Sequence, residues 1–134
     1  MYLLDTDTVI YILKNHSIVT QNLQHHKYSP ISICTITLME LYYGAYKSQR
    51  ATANIAKVKR IENALEILPI DTDSTEAFGR IKAELERTGN RLDDFDLVIA
   101  SLALSSSKVL VTNNIKHFGR IEGLRIENWT VPSE

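Results

Sequence analysis

The chain has 134 residues, of which 44% are hydrophobic, and its 15 lysines and arginines nearly balance its 16 acidic residues. This size fits a single domain over residues 1–134 with a buried core, and the near-zero net charge neither supports nor opposes nucleic-acid binding. One cysteine, Cys34, excludes an internal disulfide, and since neither a signal peptide nor an apolar run of membrane-spanning length is evident, we expect a cytoplasmic protein without membrane contact.

The first strand and the acidic residues after it organise the rest of the chain. Residues 2–4 form an apolar run, which is typical of a central parallel strand buried on both faces. Asp5 and Asp7 follow directly, before the apolar start of a helix over residues 9–13. Ligands of open α/β sheets collect at the carboxyl ends of strands, so a carboxylate here is well placed for chemistry. The alternative is that these carboxylates only cap the helix.

A second strand and helix repeat this arrangement. Residues 31–34 are apolar and β-branched, which predicts a strand, and the helix that follows contains Glu40. Thr37 and Glu40 have the spacing of a capping box, in which the glutamate only closes the helix N-terminus. The residues alone leave this role and a catalytic role of Glu40 equally open.

The middle of the chain predicts supporting elements. A polar segment with several lysines and arginines, residues 47–60, leads into a helix that starts near Thr52 and ends near residue 65. Its charges indicate a solvated face or, as the alternative, a face toward RNA or a partner. Residues 66–70 contain a proline, Pro69, near their end and predict an edge strand. Helical spacing of apolar residues follows over residues 77–85.

The last third supplies another carboxylate and an amide. Asp93 suits the N-cap of an almost wholly apolar helix over residues 97–104, and the positive end of that helix should keep Asp96 ionised. A strand over residues 109–112 is followed by Asn114, and a last strand is expected over residues 124–128. This alternation predicts an α/β fold of three α/β/α layers around a central, mostly parallel sheet.

Asp5, Glu40, Asp96 and Asn114 would face one crevice if their strands are neighbours in a parallel sheet. Like charges about 4 Å apart cost roughly 1 kcal/mol per pair in water and about 4 kcal/mol at an effective dielectric of 20, so clustered carboxylates require a cation. Oxygen ligands favour Mg²⁺ or Mn²⁺, which can lower the pKa of a bound water and offset phosphoryl charge. Spacing for a catalytic triad, a phosphate-binding glycine loop or a zinc site is not evident. Metal-dependent phosphodiester hydrolysis is therefore the leading hypothesis.

Four segments carry a resemblance to a known family: residues 4–8, 33–44, 95–100 and 110–114, followed by His117, Phe118 and Trp129. In this order and spacing they resemble the PIN-domain ribonucleases of the VapC toxin family over nearly the whole chain. The resemblance implies a PIN-like fold and a Mg²⁺- or Mn²⁺-dependent endoribonuclease whose metal site is Asp5, Glu40 and Asp96. It also implies an RNA substrate, a homodimer, and inhibition by a cognate VapB-type antitoxin that covers the site. Operator DNA would be bound only through the toxin–antitoxin complex.

Two positions depart from the family pattern. Asp7 stands where relatives usually carry asparagine. The fourth acidic position falls near Asn114 or His117, neither of which is acidic. Asn114 can still act in catalysis by ligating through its amide oxygen or orienting a water, but the lost carboxylate should weaken a second metal site, so we expect one ion at rest. The alternative is a catalytically weak PIN-fold module that acts by binding nucleic acid or antitoxin.

Overall fold

The five strands of the described part of the chain pair in parallel in a single sheet. The computed structural model describes residues 1–133, and in it the strands are β1 (Tyr2–Leu4), β2 (Ile31–Cys34), β3 (Glu66–Leu68), β4 (Val109–Val111) and β5 (Ile126–Glu127). Their order across the sheet is β3-β2-β1-β4-β5, and all four neighbouring pairs are parallel. The predicted parallel sheet is thus confirmed, with the strand that ends near Pro69 at one edge.

Within residues 1–133, seven helices connect and cover these strands. They are α1 (Thr6–Leu13), α2 (Ser17–His25), α3 (Thr35–Lys47), α4 (Ala51–Ala64), α5 (Thr72–Arg87), α6 (Asp94–Ser105) and α7 (Ile115–Phe118). α1 begins three residues earlier than its apolar residues indicate, because Asp5 caps it. No helix within residues 1–133 is both long enough and apolar enough to cross a bilayer.

Alternation along the strands divides the core into two layers. Leu3 packs with α5 and α6 on one face of the sheet, whereas the next residue, Leu4, packs with α1 to α4 on the other. Cys34 and Ile33 divide between the faces in the same way, as the two-residue period of a strand requires. Both faces are therefore buried, and the predicted α/β/α layering is confirmed.

The strand order places the end of β1 at the centre of the molecule. The chain moves from β1 outward through β2 to β3, then crosses back to β4 on the other side of β1. Such a reversal leaves a crevice at the carboxyl ends of the two central strands. Asp5 is the first residue after β1, so its carboxyl group lies at this crevice.

Candidate active site

Asp5 is both a helix cap and a buried carboxylate at the central crevice. Its Oδ1 accepts a hydrogen bond from the backbone N–H of Thr8 at 2.9 Å, and only 4% of the residue is exposed. Burial raises the pKa of Asp5, while hydrogen bonds from Thr112 and Thr8 act in the opposite direction. The capping alternative therefore describes a real contact, and it does not remove the carboxylate from the crevice.

Glu40 is held by the helix on the other side of the site. The Thr6 hydroxyl in α1 lies 2.6 Å from Glu40 Oε1 and 3.1 Å from the hydroxyl of Thr37. The N-cap of α3 is Cys34, which makes no side-chain capping bond. Of the two alternatives for Glu40, the capping box with Thr37 is thus not formed, because the glutamate side chain bonds to α1 instead of to its own helix end.

Asp96 occupies the first turn of α6. Asp93 caps this helix as predicted, accepting a hydrogen bond from the N–H of Phe95 at 3.1 Å. Burial raises the pKa of Asp96 to about 6, and the neighbouring carboxylates add to the effect, that of Asp93 most strongly, followed by Glu40. Burial and repulsion thus outweigh the helix dipole and raise the pKa of Asp96, although a carboxyl group with a pKa of about 6 is still mostly ionised at neutral pH.

These side chains line one open cleft of about 670 Å³. Its walls come from the start of α1, the middle of α3 and the start of α6, and they bring together five acidic residues, Asp5, Asp7, Glu40, Asp93 and Asp96. Asp5, Glu40 and Asp96 are far apart in the sequence, yet the carboxylates of Glu40 and Asp5 both raise the pKa of Asp96. The fold thus gathers the predicted carboxylates at a single place.

The carboxylates of the cleft are suitable ligands for a hard divalent cation, but in this arrangement they do not form a complete coordination shell within residues 1–133. Carboxylate oxygens are the ligands that Mg²⁺ and Mn²⁺ prefer, and their mutual repulsion in the cleft is the condition that a cation relieves. Within residues 1–133, no three histidine, cysteine or acidic side chains stand where they could hold one metal ion together. An ion in this cleft would therefore need water in its shell, or a shift of a side chain, to reach Asp5, Glu40 and Asp96.

Asn114 lies beside this cleft and is not among its lining residues in the described chain. It is half-buried before α7, its Oδ1 accepts a hydrogen bond from Nδ1 of the exposed His117 at 2.5 Å, and its N–H donates to Thr112 Oγ1 at 3.0 Å. Thr112 in turn bonds to Asp5. The direct catalytic role of Asn114 stays a prediction, and its contacts reach the carboxylates only through Thr112.

Lys47 is a cleft residue that the sequence pattern did not indicate. The sequence places it in a polar segment, but the structure places it on the cleft wall, where it is the one lysine or arginine among the described lining residues. It follows Glu40 by seven residues, which is two helical turns, so both lie on the same face of α3. That spacing is the signal that could have identified it.

Comparisons with known proteins agree on one family. The model of the PIN domain matches residues 2–124. The chain is 41% identical to the tRNA(fMet)-specific endonuclease VapC of Salmonella typhimurium, covering 96% of this chain and 97% of the relative. It is 38% identical to Ribonuclease VapC2 of Haemophilus influenzae, with the same coverage of both.

Solved structures show the same relationship. VapBC from Salmonella typhimurium, in a DNA-bound crystal structure, aligns with a TM-score of 0.89 at 41% identity, covering 96% of this chain and 97% of that one. VapBC2 from Rickettsia felis, bound to a DNA fragment from its promoter, aligns with a TM-score of 0.90 at 37% identity, covering 96% and 98%. By fold, sequence and the residues gathered in its cleft, the chain belongs to the PIN-domain family and, within it, to the VapC ribonucleases.

Proposed function

We propose that this chain is the toxin of a type II toxin–antitoxin system, an endoribonuclease that hydrolyses RNA phosphodiester bonds with a divalent cation, Mg²⁺ or Mn²⁺. The observation that carries the proposal is the cleft in which Asp5, Glu40 and Asp96 meet from three separate elements. The names of relatives of similar length support it, since these proteins are called ribonucleases or tRNA(fMet)-specific endonucleases. Transfer RNA is accordingly the first substrate to test.

Asp5, Glu40 and Asp96 would hold the cation, directly or through water. When bound, a divalent cation offsets the charge of the transferring phosphoryl group and lowers the pKa of a bound water. The chain itself positions the ligands: the N–H of Thr8 fixes Asp5, and the hydroxyl of Thr6 fixes Glu40. Such contacts to the ligands orient them and affect metal affinity.

The partners are proposed from the family. VapBC relatives have been solved in complexes bound to DNA, which supports a VapB-type antitoxin that neutralises this chain. Operator DNA would then be bound only through the toxin–antitoxin complex, and the toxin would form a homodimer. Because its substrate is RNA, we propose that the protein acts in the cytoplasm. We also propose that residues 1–134 form a single domain, of which residue 134 lies outside the described residues.

The test is cleavage of purified initiator tRNA by antitoxin-free protein, with product ends mapped. We expect cleavage in Mg²⁺ or Mn²⁺, none in EDTA, and a loss of at least about 100-fold for Asp5→Asn. Asp71 provides the matched control, because it caps α5 through the same kind of bond, from the N–H of Ser74 at 2.8 Å, and does not line the cleft. Asp71→Asn should cleave normally. Cleavage by Asp5→Asn at the unmodified rate would refute the proposal.

One observation favours the alternative of a binding module without useful catalysis: the carboxylates do not close around an ion within residues 1–133. Glu40→Gln separates the two functions. In the nuclease it should weaken Mn²⁺ binding and cleavage together, whereas a binding module should retain RNA or antitoxin binding with Mn²⁺ affinity unchanged.

A further inference from the structure

The carboxylates of Asp5, Glu40 and Asp96 form the acidic floor of the cleft. Large apolar side chains lie around this acidic floor instead of being buried. Tyr43 is 66% exposed and Met39 is 52% exposed, both on α3, and Phe95 at the start of α6 is 44% exposed. All three line the same cleft as the carboxylates. Single exposed apolar residues are common on proteins, but several around one polar cleft indicate a surface that contacts a ligand.

Lys47 adds a positive charge to this wall. Its Nζ lies 4.7 Å from the centroid of the Tyr43 ring, and it makes no ion pair with another described residue. Glu40, Tyr43 and Lys47 follow one another at intervals of three and four residues, so they share one face of α3. From Glu40 to Lys47 this face extends about 10 Å along the helix axis, leading away from the acidic floor.

The chemistry of this face matches a nucleotide. The phosphates of RNA are repelled by the carboxylates wherever no cation intervenes, so a chain that enters the cleft needs a cationic contact beside them. An exposed aromatic ring offers a stacking surface to a base, and an adjacent ammonium group offers a phosphate contact. A base can stack on a side chain only when it has left its own helix, so such a site favours unpaired RNA.

We infer that Tyr43 and Lys47 form a subsite for the nucleotide next to the cleaved phosphodiester, with the base stacked on Tyr43 and its phosphate at the Lys47 ammonium. The inference rests on the proposed function and deepens it, because it names the two residues of α3 that bind the substrate beside the cleaved bond. A second copy of the chain or an antitoxin segment could also cover this wall. The acidic floor, the ammonium group of Lys47 and the exposed ring of Tyr43 together favour RNA as the ligand.

The experiment is steady-state cleavage of an anticodon stem–loop RNA by the purified protein, with four variants. Tyr43→Leu removes the ring and Tyr43→Phe keeps it, while Lys47→Gln removes the charge and Lys47→Arg keeps it. Tyr43→Leu and Lys47→Gln should each raise KM about tenfold with little change in kcat. The reason is that the lost contact binds the bound substrate and the transition state equally strongly. The two conservative variants should stay within about twofold of the unmodified chain.

A binding measurement gives an independent readout. Anisotropy of the fluorescein-labelled stem–loop, in an Asp96→Asn background that does not cut it, should show a salt slope reduced by about 0.7 in Lys47→Gln. A fully paired RNA should bind more weakly, and its affinity should not respond to Tyr43→Leu. Thermal unfolding checks that these surface variants fold.

The outcomes are distinguishable. Cleavage with KM unchanged in both Tyr43→Leu and Lys47→Gln overturns the subsite and leaves the proposed function in place. If these variants instead alter the oligomeric mass or antitoxin affinity while KM is unchanged, the wall is a protein interface and the inference is wrong. Absence of cleavage by the unmodified chain overturns the proposed function and the subsite together.

Discussion

Replacement of Asp96 by asparagine should stabilise the protein when no divalent cation is present. The pKa of this carboxyl group rises from an ordinary 3.8 to about 6 in the folded chain, because it is partly buried and faces other carboxylates. At neutral pH that rise corresponds to an upper limit of about 3 kcal/mol. Since Asp96 is only half-buried, solvent screening reduces the expected gain to about 1 kcal/mol, or about 3 °C in Tm for a chain of this length.

The same group sets a pH dependence with a definite sign. Because its pKa is higher in the folded state than in the unfolded state, the folded protein binds the proton more tightly. The contribution of Asp96 to stability is therefore complete below pH 3.8, falls as pH rises toward about 6, and is absent above it. In Asp96→Asn this component of the pH dependence should disappear.

Thermal unfolding in EDTA between pH 4 and pH 8 measures both effects. Asp94→Asn is the control, because Asp94 lies in the same turn of α6 but is exposed and bonds to Lys82 Nζ at 2.9 Å. It should bring no gain in Tm at neutral pH. If Asp96→Asn unfolds at a lower temperature than the unmodified chain at pH 7.5, the carboxylates do not repel one another in the cleft and the reasoning is refuted.

Three further substitutions test other contacts. Gly44→Ala should stabilise the metal-free protein by about 0.5–1 kcal/mol, because a Cβ there meets nothing within 4 Å and α3 loses a glycine; denaturant unfolding that shows destabilisation would contradict this. Thr6→Val removes the hydroxyl bonded to Glu40 and should weaken Mn²⁺ binding roughly tenfold, with Thr35→Val, outside the cleft, as the control in the same titration. Asn22→Ala should cost about 2–3 kcal/mol, since this buried amide donates to two carbonyl oxygens of the C-terminal segment, and an unchanged urea midpoint would refute that role.

The sequence predicts this fold well where burial alone decides the structure. Apolar residues mark the central strands, residues 2–4 and 31–34 (the latter interrupted by Ser32), and an almost uniformly apolar run marks the buried helix α6. The proline after residue 68 correctly indicates an edge strand. These features depend on local composition, which is why they can be read without knowledge of distant contacts.

Local sequence patterns do not reveal contacts between segments that are distant along the chain. Thr37 and Glu40 have the local spacing of a capping box, but a hydroxyl more than 30 residues away competes successfully for the carboxylate. His26 lies in a polar stretch of sequence of the kind found on surfaces, yet it is half-buried, and the centroid of its ring lies 4.8 Å from that of Trp129, on which it stacks. That contact exists because the C-terminal segment folds back against α2, which local sequence does not reveal.

That Asp5, Glu40 and Asp96 meet in one cleft was predictable from the sequence, whereas the geometry of their side chains was not. Parallel strand order explains why Asp5, Glu40 and Asp96 share one cleft. The arrangement of side chains depends on rotamers and on tertiary hydrogen bonds, and within residues 1–133 it forms no ready group of three ligands for one ion. The aromatic and cationic wall on α3 was also missed, since its residues look like ordinary surface positions until the cleft is seen.

Calorimetric titration of Mn²⁺ into the metal-free protein tests the central claim most directly, namely that carboxylates from three elements form one cation site. We predict saturable binding of one ion per chain, weakened by at least about tenfold in each of Asp5→Asn, Glu40→Gln and Asp96→Asn. Binding of equal strength in the unmodified chain and all three variants, or no binding to the unmodified chain, would contradict the account.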